Sequence, residues 1–195
     1  MSQFIVTAIE FMKRRHYLVD DSIYPVFITT TITKWIRIFS ERKIAESSLF
    51  QLEEIRSKFG ATFYGYVLMP NHFHCILKTL EKGDLSKIMK LWKGISAQAI
   101  INYGNSHNME WLRAFHEATI EFRRDKAMNF QVWQPRFDEY AIRDKHQFET
   151  KLNYVHGNPV KHHLVENTED YPYSSIHDYL GRKNGYLTVE IMQIY

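Results

Sequence analysis

The sequence predicts an α+β domain: a ferredoxin-like β-α-β-β-α-β antiparallel sheet, a further helix after it, and an extra helical insertion. Three observations carry that prediction. Short β-branched and aromatic runs alternate with longer stretches of helical apolar spacing, and a Pro-Asn pair separates two of the runs by one tight turn. The composition, 45% hydrophobic and 24% charged over 195 residues, is that of an ordinary globular chain and excludes disorder, collagen-like repeats and a coiled-coil rod.

Residues 1–20 are polar, charged and without periodicity, and read as an N-terminal arm. The domain proper spans 21–180, with 181–195 as its C-terminal tail. Tyr24 to Thr33 is β-branched and aromatic and suits a strand, with Pro25 confined to its first residues. Ser40 is a candidate N-cap for a helix whose apolar side holds Ile44, Leu49, Leu52, Ile55 and Phe59, and Gly60 ends it. Ala61 to Met69 forms the next strand. Pro70-Asn71 turns the chain back into His72 to Lys78 as an antiparallel partner. After Gly83-Asp84 a second helix runs from about Leu85 to Asn102. Residues 109–129, with Trp111, Leu112, Phe115 and Phe122 among charges, form the inserted amphipathic helix. Phe130 to Arg143 returns to strand chemistry, Pro135 marking a bulge or an edge. A third helix from about His146 to Gly157 is stopped by Asn158-Pro159. Two helices then cover one face of the sheet, and the other face is left for a site.

No apolar run reaches the roughly 20 residues that span a bilayer, so the chain reads as cytoplasmic and independent of membranes. Its single cysteine, Cys75, excludes an intramolecular disulfide and any multi-cysteine metal site, which leaves packing to supply stability. The formal charge is +3, unevenly distributed: residues 166–195 carry −3 and the rest +6. Lys87, Lys90 and Lys93 recur at a spacing of three on the second helix. A solvated helix face accounts for them as well as a phosphate surface does, so charge alone makes no claim to nucleic acid.

His72 and His74 are two apart on a strand, so both imidazoles leave one face of the sheet, about 6–7 Å apart at Cα. They could share a metal, or be two half-buried histidines. Tyr154 and Asn158 are four apart on the third helix, about 5–6 Å apart at Cβ on one face. They present a phenol and a carboxamide together, or else a core tyrosine and a C-cap before proline. His156 points away from their shared face and reads as a supporting or surface residue.

At this point the residues resemble a family. Tyr66-Val67-Leu68-Met69-Pro70-Asn71-His72-Phe73-His74-Cys75-Ile76-Leu77 resembles the signature of the single-tyrosine HUH transposases, U being a hydrophobic residue. Leu152-Asn153-Tyr154-Val155-His156-Gly157-Asn158-Pro159-Val160 is similar to the tyrosine helix of one branch, the REP-associated tyrosine transposases. Val132 to Phe137, Asp170 to Ser175 and the strand Val26 to Ile32 resemble that branch as well, so the likeness covers about residues 23–180. The chain departs from the family at His162 and His163, where small residues are usual, and in the length of 109–129.

The resemblance implies a transposase-like enzyme that nicks and joins single-stranded DNA beside short imperfect (REP-like) hairpins, in the cytoplasm and on the nucleoid, as a monomer or homodimer. It implies that Tyr154 is the nucleophile and forms a 5′-phosphotyrosine. It further implies that His72, His74 and Asn158 hold a divalent metal, Mg²⁺ or Mn²⁺, and that the third helix is the catalytic helix. Lys87, Lys90, Lys93, Arg136 and Lys161 are candidates for phosphate contacts, and Trp133 for stacking on bases. The competing expectations are a domesticated hairpin-binding protein that no longer cuts, a replication initiator or relaxase, and a small zinc hydrolase. The last needs a third strong ligand that no convincing spacing supplies.

Overall fold

In the computed structural model the described residues are 20–107, 109–122, 130–182 and 185–192. The expected N-terminal arm up to residue 19, and residues 123–129 of the expected insertion, lie outside them. Four strands, β1 (Val26–Thr31), β2 (Thr62–Met69), β3 (His72–Lys78) and β4 (Asp138–Ala141), form one antiparallel sheet in the order β2-β3-β1-β4. The helices are α1 (Arg42–Phe59), α2 (Asp84–Ser106), α3 (Trp111–Phe122), α4 (Lys145–Lys161) and α5 (Ile176–Tyr179). Strand β3 lies between β1 and β2 and runs against both, so α1 connects two strands of like direction across it. That is the split βαβ arrangement expected from the sequence.

The strand period of two sorts the sheet into two faces. Val26, Ile28, Phe73, Cys75 and Leu77 pack under α1 and α2, against Leu49, Leu52, Ile88, Met89 and Trp92. Trp92, fully buried, donates its indole N–H to the Ser48 carbonyl (2.7 Å) and so ties the two helices together. Helix α1 starts one residue later than Ser40 would cap it. Ser40 closes a short 3₁₀ turn, and the Glu41 carbonyl accepts from the amides of Ile44 and Ala45. Gly60 ends α1 in the left-handed region at φ 60°, where a side chain would be strained. Asp21 caps α2 from a distance, accepting from Gly83 N (2.7 Å) and Leu85 N (2.8 Å).

On the opposite face a second cluster, Phe27, Val67, Met69 and Ile76, packs against Phe148, Leu152 and Val155 of α4. That face is therefore half covered rather than open. Gly65 permits the close approach, since a Cβ there would lie 2.6 Å from Leu152 Cδ1. Two further expectations are corrected here. Asn158-Pro159 does not stop the helix: Pro159 lies inside α4, which continues to Lys161, and Leu164 N then donates to the Pro159 carbonyl. Proline deletes only the bond its own missing N–H would make, and the turns on either side hold. The fourth strand is also much shorter than 130–143. Trp133 bridges to Ile32, Pro135 and Arg136 (φ 63°) interrupt, and regular pairing with β1 covers only Asp138 to Ala141. Among the described residues no helix is long and apolar enough to cross a membrane.

Candidate active site

β3 brings His72 and His74 to the α4 side of the sheet, and the register of β1 sets Thr31 and Thr29 opposite them. The two imidazoles meet edge to face with centroids 4.7 Å apart, and both are buried. Each ring is held through Nδ1. His74 Nδ1 lies 2.8 Å from Thr29 Oγ1. His72 Nδ1 lies 2.7 Å from Asn71 Oδ1. Because Asn71 donates its amide N–H to the Trp35 carbonyl (3.1 Å), its oxygen faces His72 as acceptor. His72 then carries its proton on Nδ1 and keeps the Nε2 lone pair for a ligand.

α4 supplies the other half. Tyr154 is partly exposed, its ring 5.2 Å from His74 and 5.8 Å from Phe27. Asn158, one turn later, is completely buried, and neither its Oδ1 nor its Nδ2 has a hydrogen-bond partner; His74 Nε2 is likewise buried and unpartnered. An unpaired buried polar group costs about 1–3 kcal/mol, and two of these atoms, Asn158 Oδ1 and His74 Nε2, are of the kind that can ligate a cation. Burial pushes His72 down to about 4. The Asn158 amide pulls it back upward without a hydrogen bond of ordinary geometry, and His162 pushes it further down. Burial, then the His72 and His162 charges, hold His74 well below the usual histidine range. Both rings are thus neutral at pH 7 and offer lone pairs, as ligation requires. Two imidazole nitrogens and an amide oxygen suit a divalent ion. His162 stands with its ring centroid 6.0 Å from that of His72, but among the described residues no three His, Cys, Asp or Glu side chains are placed to hold a metal ion together, which leaves the Asn158 amide oxygen as the third donor for the pair.

The remaining expected residues separate. Lys161 extends over the Tyr154 ring at 5.4 Å and belongs to the site. Lys87, Lys90 and Lys93 lie on α2, behind the sheet. Lys87 pairs with Asp84 (2.7 Å), and Lys90 borders a cavity of about 490 Å³ between α2 and residues 130–137. Lys93 donates to the carbonyls of Gln134 and Arg136, and desolvation lowers it to about 8, so it holds a loop rather than facing solvent. Arg136 is exposed on that loop. Trp133 does not offer a face for stacking: it is buried between Phe39 and Trp92 and donates to Ser96 Oγ (3.0 Å).

Sequence reasoning missed several neighbours. Lys151 precedes Tyr154 by three residues, on the same helix face, and sits 4.7 Å over Phe27 and 4.9 Å over Tyr140. Helical spacing from Tyr154 was the signal that could have found it. Of the two places expected for His156 the structure gives the supporting one: it is buried, and its Nε2 lies 2.9 Å from Ser175 Oγ, which also accepts from Tyr66 N (2.9 Å). α4 is thereby pinned to β2, and the role of the serine pair at 174–175 becomes legible.

Comparison with known proteins bears on this geometry. Residues 27–122 match the family model described as "Transposase IS200 like". The REP-associated tyrosine transposase of Escherichia coli K12 is 30% identical over 117 residues, 60% of this chain and 55% of that protein. A Haemophilus influenzae Rd protein, named "Putative REP-associated tyrosine transposase", is 30% identical over 135 residues, 65% of this chain and 69% of its own length. The chain belongs to the REP-associated tyrosine transposase family. It spans little more than half the length of the Escherichia coli family member. The family fold is shared as well: a REP-associated tyrosine transposase solved bound to a REP hairpin superposes with a TM-score of 0.61, covering 94% of each chain at 19% identity.

Proposed function

We propose that this chain nicks and rejoins single-stranded DNA beside hairpin elements, with Tyr154 as nucleophile and a divalent ion, Mg²⁺ or Mn²⁺, held by His72, His74 and Asn158. The observation that carries the reading is the meeting of three buried donors, two of them without partners, with a partly exposed phenol on the adjoining helix turn. Membership of a transposase family, and a fold shared with a protein solved on a REP hairpin, support hairpin DNA as the substrate class.

The Tyr154 phenol gives up its proton as its oxygen attacks the scissile phosphorus, the P–O3′ bond breaks, and the 3′ oxygen takes up a proton and leaves as a hydroxyl, so that no net proton is gained or lost. The 5′ phosphate stays on the phenol as a phosphodiester, so a 3′ hydroxyl can attack it later and rejoin a strand without ATP. A bound divalent ion would supply positive charge for the phosphate oxygens and the departing 3′ oxygen. Neutral imidazoles and a neutral amide leave that charge undiminished, and imidazole favours Mn²⁺ over Mg²⁺. Lys151 and Lys161 flank Tyr154 on the same helix face and add attraction for the strand. The phosphate has to enter between the sheet face and α4, which an unpaired strand does more readily than a stiff duplex.

The test is covalent capture. End-labelled hairpin DNA with unpaired flanks, incubated with the protein and Mn²⁺ or Mg²⁺, should give a protein–DNA adduct that carries the 5′ phosphate and is absent with Tyr154→Phe. An adduct that survives that substitution removes Tyr154 as nucleophile. Hairpin binding without any adduct makes the chain a binding protein that no longer cuts.

A further inference from the structure

Trp35 is the most exposed tryptophan among the described residues, 60% accessible, yet it is anything but loosely held. Lys34 and Trp35 both adopt left-handed backbone, φ 55° and 57°, a conformation that costs two successive non-glycine residues energy and persists only where the surroundings impose it. The surroundings are on both sides. Thr33 N donates to the Val132 carbonyl (2.8 Å), and Lys34 Nζ pairs with Glu117 of the inserted helix α3 at 3.6 Å. From the site, Asn71 donates to the Trp35 carbonyl while its oxygen accepts from His72 Nδ1–H. The indole then stands edge-on to His72, centroids 6.2 Å apart. A tryptophan needed to cover apolar core would be buried; this one is strained into the open beside the residues proposed to bind metal.

We propose that Trp35 is a stacking platform for an unpaired base of the DNA strand, at a nucleotide adjoining the cleaved phosphate, and that α3 buttresses it. The inference rests on the functional reading above and deepens it. A π-face accepts every base, so the platform adds affinity for unpaired flanking DNA without choosing a sequence, while sequence or hairpin shape is read elsewhere.

Binding is measured by anisotropy in EDTA, so that no cleavage intervenes. The probes are a fluorescein-labelled hairpin DNA whose unpaired flanks carry all four bases, and the same hairpin with abasic flanks. Trp35→Ala should bind the flanked hairpin about tenfold more weakly and the abasic one as the wild type does, with Trp35→Phe recovering most of the loss. Base-dependent quenching of tryptophan emission should disappear in Trp35→Phe. If the alanine variant binds both probes like the wild type, or loses the same factor on both, the platform is wrong while the functional reading stands. If the wild type binds neither probe, both fall together.

Discussion

Asn158 is a residue the fold would be better off without. Its carboxamide is completely buried with neither polar atom paired, a desolvation cost of about 1–3 kcal/mol with no return inside the protein. Asn158→Leu, close in volume and free of polar atoms, should therefore raise the melting temperature of the metal-free protein and abolish adduct formation. In the wild type Mn²⁺ should recover that stability, whereas the leucine variant should show little thermal response to it. A variant no more stable than the wild type without metal would contradict this account of the amide. The neutral histidines obey the same logic in pH. His72 and His156 titrate near 4 when folded against 6.5 in the free side chain, and burial leads the causes of both shifts. The unfolded chain binds protons that the folded chain refuses. Stability is thus fully present above about pH 6.5 and is lost as pH falls, by about 3 kcal/mol per residue at pH 4. Denaturant titrations in EDTA should show this acid loss, reduced in His156→Gln; a flat profile from pH 7 to 4 would rule it out.

Among elements, α4 bears most on the proposed reaction, because its placement over the sheet sets the distance from Tyr154 to His74. Gly65 and the His156–Ser175–Tyr66 contacts fix that placement from β2. Gly65→Ala drives a methyl toward Leu152 and should cost about 1–3 kcal/mol while lowering the rate of adduct formation more than DNA affinity. Unchanged single-turnover rates would show that α4 tolerates the shift. The order of elements was legible in the sequence since β-branched runs, helical periods and the Pro70-Asn71 turn all gave the same answer, and the paired histidines and Tyr154/Asn158 spacing followed from those periods. The end of α4 was not, because Pro159 signals a stop that the bonds around it override. Nor was the burial of Trp133 or the capture of Lys93: both depend on residues 130–137 folding back onto α2, a long-range contact without local periodicity. Thr29 and Asn71 act through cross-strand register and turn geometry, which leave no mark on spacing either.

At the scale of the molecule, lysines on opposite layers of the described residues predict different salt behaviour. Lys151 and Lys161 lie along the helix that carries Tyr154, while Lys87 is paired with Asp84 on the far layer. Lys161→Gln and Lys151→Gln should each lower the slope of log affinity against log salt for single-stranded DNA by about 0.7, and Lys87→Gln should leave it unchanged. Equal effects from all three would mean that the strand wraps around to α2. Asn158 and Tyr154 share one helix turn, and this has a consequence for timing. In the proposed reaction, nucleophile and amide donor ride on one rigid body, about 6 Å apart along the axis. Any swing of α4 that carries a DNA-loaded tyrosine away from the sheet also withdraws the amide from the histidines. Under the proposed mechanism, cutting would be interlocked with docking of the helix, and a strand in transit would travel with the machinery for reversing its own cleavage already dismantled.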